Sequence, residues 1–212
     1  MLPTTVEGID DAETVVYMDE VGRGCLAFSV AVAAVIWPKD FVPQTPEDQK
    51  HLDAIKDSKK LSPKKREVLA AFIKENAQAY AIHSIDNEEI DRINILQATF
   101  KAMHGALDEI PVKFDRTVVD GDKFKPYMTP TGDFVPHTCV VGGDNLVFQI
   151  ACASILAKVH RDTLITELGE SDETLKCYMW HKNKGYGTKD HIAAIKEHGM
   201  SRYHRRSFIH FV

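Results

Sequence analysis

Tyr17-Met18-Asp19-Glu20-Val21-Gly22-Arg23-Gly24 is the stretch that decides the reading of this chain. An apolar run, Val15 to Met18, has the character of a buried strand, and it ends on two adjacent carboxylates followed at once by Gly-Arg-Gly. Desolvating an unpaired carboxylate is expensive, so two at the end of a buried strand call for a counter-ion. A divalent cation would serve, and Gly22 and Gly24 would let a ligand come close to the backbone beside it. A turn carrying a solvated acidic pair is the competing reading of these eight residues alone.

Working outward, residues 14–19 and 29–37 predict two strands joined by the Gly-Arg-Gly turn. Residues 38–49 read as a polar, proline-containing loop. Ser62-Pro63 starts a helix, with serine as N-cap and proline in the first turn, running to about Asn76 with Val68, Leu69, Phe72 and Ile73 on one face. Residues 79–85 predict a strand. From Asn87 to Leu107, the spacing of Ile93, Leu96, Phe100, Met103 and Leu107 predicts one helix. Thr117-Val118-Val119 and residues 137–141 predict short strands ending near Asp120 and Asp144. A long helix over 145–168 carries small residues (Ala151, Ala153, Ser154, Ala157), and a shorter one spans about 189–198. Strands followed by alternating strands and helices imply an α/β protein with a mixed central sheet, helices on both faces and a small helical C-terminal region.

Composition sets outer limits. The 212 residues, 44% hydrophobic, suit one domain. No apolar run approaches the ~20 residues that span a bilayer, and the first residues show no secretory pattern. Four cysteines without paired spacing are expected as reduced thiols of a cytoplasmic protein. The net charge of −5 is unevenly placed: residues 176–212 hold eight Lys/Arg against two Asp/Glu, leaving an acidic body before them. Lys56, Lys59, Lys60, Lys64, Lys65 and Arg66 form a second basic group. Basic surfaces on an acidic body suit a phosphate-backbone ligand, although charge runs are often only solvated faces.

Three predicted strand ends thus present Asp19 with Glu20, Asp120, and Asp144. Four all-oxygen donors suit Mg²⁺ or Mn²⁺ and not zinc, and two such ions can activate water and stabilise a leaving oxygen at a phosphodiester. Singly, Asp144 also fits a helix N-cap and Asp120-Gly121 a turn. His181, His191, His198, His204 and His210 invite a metal-site reading, with His191 and His198 on one face of the last helix, but without a close His/Cys cluster they read as solvated or phosphate-facing. Arg161-Asp162 fits equally a support for the site and a surface ion pair.

The chain resembles the bacterial ribonuclease HII family. The segments that carry the likeness are DEVGRG at 19–24, DSKKLS at 57–62, EIDRINILQAT at 89–99, VDG at 119–121, GD at 143–144, ASILAKVHRD at 153–162, NKGYGTKDH at 183–191 and HRRSF at 204–208. The resemblance implies a ribonuclease H-like fold and one catalytic domain over 1–212. It implies hydrolysis of the RNA strand in RNA–DNA hybrids, and incision 5′ to a ribonucleotide embedded in duplex DNA. It implies two Mg²⁺ or Mn²⁺ ions on Asp19, Glu20, Asp120 and Asp144, contact to the ribose 2′-hydroxyl by Gly22-Arg23-Gly24, and a junction-sensing role for Tyr186. A 2′-hydroxyl is the only mark of RNA at a given position, so glycine-exposed amides and a tyrosine tip suit the task. Lys59 is expected to approach a phosphate, a solvated loop being the alternative.

The chain also departs from the family's usual pattern. After Gly-Arg-Gly the family usually continues Pro-Leu-Ala-Gly-Pro-Val; here Cys25-Leu26-Ala27-Phe28-Ser29-Val30 follows. Gly143 replaces a usual lysine, and Asp122 a usual asparagine. A ribonuclease HIII is disfavoured by the few residues before Asp19. A nuclease or integrase on the same fold would not account for Gly-Arg-Gly with Tyr186, and a non-catalytic hybrid-binding module would not need four acids. The tail shows no clamp-binding pattern, so a monomer with no obligate protein partner is expected.

Overall fold

A computed structural model describes residues 6–55 and 61–211. Its centre is a five-stranded mixed sheet in the order β3-β2-β1-β4-β7. Strands β1 (Val15–Val21), β2 (Val30–Ile36) and β3 (Ala79–Ile85) run antiparallel to their neighbours, while β4 (Arg116–Asp120) and β7 (His137–Val140) extend the sheet in parallel from β1. The β1–β4 register pairs Met18 with Val119. One step further along the two parallel strands stand Asp19 and Asp120.

Side-chain alternation divides the core in two. Val16 and Met18 of β1, with Val30, Val32 and Ala34 of β2, face α3 (Asn87–Ile93) and α4 (Ile95–Asp108). On the opposite face Ala33 and Val35 pack with α1 (Pro46–Ile55), α2 (Pro63–Asn76) and the long α5 (Phe148–Ser171). The small residues Ala151, Ala153 and Ala157 are fully buried there and let α5 lie close against β1 and β2. β2, covered on both faces, is buried throughout and reads as an uninterrupted apolar run. A two-stranded hairpin, β5 (Tyr127–Met128) and β6 (Phe134–Val135), links β4 to β7. The C-terminal region holds α6 (Trp180–Asn183) and α7 (Lys189–His198), packed around Trp180 and Tyr178 against Ala27 and Ile165. Among the described residues no helix is long and apolar enough to cross a membrane, and all four cysteines are free thiols.

The mixed sheet with helices on both faces matches the sequence-based expectation, with four corrections. α1 lies partly in the predicted loop: Thr45 and Asp48 form a reciprocal cap, each side chain accepting from the other's backbone N–H (3.1 and 2.8 Å). The predicted helix from 87 to 107 is two helices, broken at Asn94, whose φ of +68° is incompatible with continuation. Asp144 caps no long helix. It sits in a 3₁₀ turn, Gly143–Asn145, ahead of α5. Val68 is exposed, outside the α2 face formed by Leu69, Phe72 and Ile73.

Candidate active site

Asp19 follows Val15 and Tyr17 onto the α5 side of the sheet, where the Ser154 hydroxyl donates to it. Its Oδ1 also accepts the Glu20 backbone N–H at 2.7 Å. These two donors do not offset the surroundings. Burial first, then the charges of Glu20 and Asp120, hold the Asp19 carboxyl well above the ordinary range. Glu20 is raised as well, first by burial and also by Asp120, against the pull of Arg23, whose guanidinium lies 3.2 Å from Glu20 Oε1. The fold therefore brings Asp19, Glu20 and Asp120 into one mutually repelling group at adjacent strand ends.

Asp144 stands on the turn next to Asp120. Asp120 Oδ1 accepts the Gly143 N–H at 2.6 Å, and Asp144 Oδ1 accepts from Asn145 Nδ2 at 2.7 Å. Gly143 packs closely here: a Cβ would lie 2.5 Å from Ile150 Cδ1 and 3.2 Å from Asp120 Oδ1, so a larger residue would need both side chains to shift. Among the described residues, no three His, Cys, Asp or Glu side chains are already arranged to enclose an ion. Each of the four acids accepts from a nearby N–H donor.

The Gly-Arg-Gly segment is shaped from inside by two fully buried arginines. Arg161 of α5 donates through Nε to Ser29 O (2.8 Å), through Nη2 to Ala27 O (2.9 Å) and through Nη1 to Lys184 O (2.8 Å). Arg205 donates to Arg23 O (2.9 Å), Phe28 O (2.9 Å) and Ser29 O (3.0 Å). Burial pulls the Arg205 guanidinium down to about 10, which still leaves it charged at neutral pH. Carbonyls along 23–29 are thus turned inward onto cations. Gly22, at φ +92°, is the residue that admits Arg161: its Cβ would fall 2.3 Å from Arg161 Nε. Gly24 has open space where a Cβ would be, so close approach from outside belongs to Gly24. Arg161 is therefore no member of a surface ion pair. Asp162 pairs with Lys158 at 3.1 Å instead.

Tyr186 comes directly beside this segment. Cys25 and Tyr186 form an isolated β-bridge, and Leu26 N–H donates to Gly185 O at 2.7 Å. The Tyr186 ring is partly exposed, and burial raises its phenol to about 12, so it remains a neutral donor across the working range. His191 and His204 overturn the solvated reading: both are buried and hydrogen-bonded to each other, Nε2 to Nε2, at 3.1 Å. Lys59 lies outside the described residues. Sequence reasoning missed Ser154 and Arg205 as partners of the site, since one read as helix packing and the other as part of a basic tail. Spacing alone offered no signal for either.

Comparison with known proteins gives the family and the fold. A family model described as ribonuclease HII matches residues 17–211. A ribonuclease HII of Bacteroides thetaiotaomicron is 46% identical over 190 residues, spanning 90% of this chain and 86% of that protein. One from Chlorobium luteolum is 44% identical over 191 residues, again 90% and 86%. Among solved structures, a ribonuclease H2 from Pyrococcus horikoshii superposes with a TM-score of 0.70 at 21% identity, covering 92% of this chain and 93% of that one. A ribonuclease HIII, Bst-RNase HIII in complex with Mn²⁺, gives 0.58 at 17% identity, covering 89% of this chain and 63% of its own. At such identities the structural likenesses show the fold.

Proposed function

The chain belongs to the ribonuclease HII family and is an endonuclease acting on the RNA of RNA–DNA hybrids, and on that premise we propose that it also incises duplex DNA 5′ to a single embedded ribonucleotide, leaving a 3′-hydroxyl and a 5′-phosphate. It depends on a divalent metal, as the family does. In our reading the metal is Mg²⁺ or Mn²⁺, two ions held by Asp19, Glu20, Asp120 and Asp144. The donor chemistry fits: four carboxylates, all oxygen, two of them raised by burial and by neighbouring charge that a dication would relieve. Bound there, the ions would lower the pKa of a water on one side of the phosphodiester and act as Lewis acid toward the leaving oxygen on the other.

The chain's own residues do the choosing. Arg161 and Arg205 hold the carbonyls of Arg23, Ala27, Phe28 and Ser29 inward, and in our reading the exposed backbone at Arg23 and Gly24 faces a sugar edge beside the acids. Tyr186, bridged to Cys25, brings a phenol donor to the same edge. The observation that carries the reading is this adjacency: carboxylates in mutual repulsion at the end of β1, and a glycine-opened backbone immediately after them, in one chain segment. Reading 1–212 as one catalytic domain draws support from the C-terminal region, which pairs with residues 25–27 through Tyr186 and His204.

Three labelled duplexes test the proposal: all DNA, RNA–DNA hybrid, and DNA with one ribonucleotide, each with and without chelator. Incision of the second and third with Mg²⁺ or Mn²⁺, and of none in excess chelator, is expected. Cleavage of the all-DNA duplex, or failure at the single ribonucleotide, would overturn the substrate assignment.

A further inference from the structure

On α7 the core-facing positions are His191, Ala194 and Ile195, so an imidazole occupies a place where the spacing calls for an aliphatic side chain. Burying a polar ring there is costly unless its nitrogens are paired. The directions of its hydrogen bonds are fixed by groups that can only donate. The Trp180 indole N–H donates to His191 Nε2 at 3.1 Å. The Ser201 backbone N–H donates to His204 Nδ1 at 2.9 Å, so in neutral His204 the proton sits on Nε2 and points to His191 Nε2. His191 Nε2 is therefore an acceptor, and its proton is on Nδ1, which donates to the Tyr186 carbonyl at 2.9 Å. The same carbonyl takes the Thr188 N–H at 2.8 Å, while the Tyr186 N–H goes to Asn183 O at 2.9 Å. Two donors on one oxygen fix the peptide plane from which the partly exposed Tyr186 ring projects.

We infer that His191 is a positioning residue for ribonucleotide recognition: its Nδ1–H, oriented by Trp180 and His204, sets where the Tyr186 ring stands against the sugar. This rests on the reading of Tyr186 as the junction sensor and deepens it. The wiring has a direction, so two near-isosteric substitutions separate its halves. His191→Asn retains a donor at the Nδ1 position and loses the acceptor. His191→Gln retains an acceptor toward Trp180 and loses the donor to Tyr186.

The experiment compares turnover on the single-ribonucleotide duplex with turnover on a hybrid containing a long RNA run, as a ratio. Misplacing a recognition group by about 1 Å can cost up to ~100-fold, so H191Q is expected to lower the ratio by about tenfold, chiefly in kcat at the single site. H191N is expected to stay within about twofold of the parent ratio. In a Tyr186→Ala background, H191Q is expected to change the ratio no further. Equal losses on both substrates in H191Q and H191N would overturn the proposal and leave His191 a packing residue. A ratio altered by Tyr186→Ala but not by H191Q would overturn the positioning role alone. A ratio unchanged in Tyr186→Ala would overturn the sensor reading, and the positioning role with it. Should H191Q fail to fold, His191→Ala takes its place as the variant without the donor: a ratio that falls in H191A and not in H191N supports the donor role, and equal ratios in the two overturn it.

Discussion

Asp19 is a carboxylate that the fold holds at a loss. Its raised pKa, caused first by burial and then by Glu20 and Asp120, means that the folded chain binds its proton more tightly than the unfolded chain does. Stability therefore falls as pH rises from the unfolded value of about 3.9 through the folded one, so the cost grows from acid toward alkaline pH. Asp19→Asn removes that cost while keeping an oxygen for Ser154. The variant should melt higher than the parent at pH 8, by ~2–4 °C per kcal/mol recovered, and the difference should close as pH approaches 4. Its turnover should be nearly abolished. Thermal melts across pH check the first part, and a parent that melts higher at pH 8 would refute it. Phe28 carries a different strain. It stands at φ +71°, held by its N–H to Tyr203 O (2.8 Å) and its carbonyl to Arg205 Nε, where the family usually has glycine. A bulky residue there costs about 1–2 kcal/mol. Phe28→Gly gives up ring packing but relieves that strain, whereas Phe28→Ala gives up the ring and keeps it. The glycine variant should therefore be the more stable of the two by about 1 kcal/mol, the reverse of the usual order. Paired denaturant titrations decide it.

At the scale of elements, the break between α3 and α4 depends on one side chain. Asn94 takes φ +68° and its Oδ1 accepts from Leu96 N–H (3.0 Å) and Gln97 N–H (3.1 Å), so it both stops one helix and caps the next. Asn94→Ala should cost about 2 kcal/mol, since it loses the cap and leaves a Cβ at positive φ, while Asn94→Gly should cost about half as much. Equal losses would mean that the cap alone matters. Asn94 also shows where sequence reading runs out. The apolar spacing from Ile93 to Leu107 is continuous because both helices face the same side of the sheet, so periodicity is blind to the break. α1 was hidden differently: its Thr45-Pro46-Glu47-Asp48 start is a sound capping signal, but the preceding prolines made it read as loop. What was legible had strong local causes, such as Ser62-Pro63 at the start of α2 and the carboxylates closing β1 and β4. The buried roles of Arg161, Arg205, His191 and His204 were not legible, because charge and polarity in a sequence do not reveal which side chains the chain will fold around. Part of the basic tail is thereby internal, with Arg205 serving backbone carbonyls.

For the whole molecule, these terms combine into a metal-linked stability. The repelling group at the ends of β1 and β4 weakens the folded chain at neutral pH, and a ligand that binds only the folded form stabilises it by RT ln(1 + [L]/Kd), about 2.7 kcal/mol at a hundredfold excess over Kd. The parent protein should therefore melt several degrees higher with saturating Mg²⁺ or Mn²⁺ at pH 8, and excess chelator should return it to the metal-free value. The increment should shrink as pH falls, because protons and cations compete for the same raised carboxylates. Asp120→Asn should lose both the increment and turnover while still binding hybrid duplex, since the backbone held by Arg161 and Arg205 is untouched. Substitution of an exposed acid away from the group, Glu170→Gln, should keep the increment and turnover alike. An increment that survives in Asp120→Asn would remove Asp120 from the ion-binding set and move the linkage elsewhere on the chain.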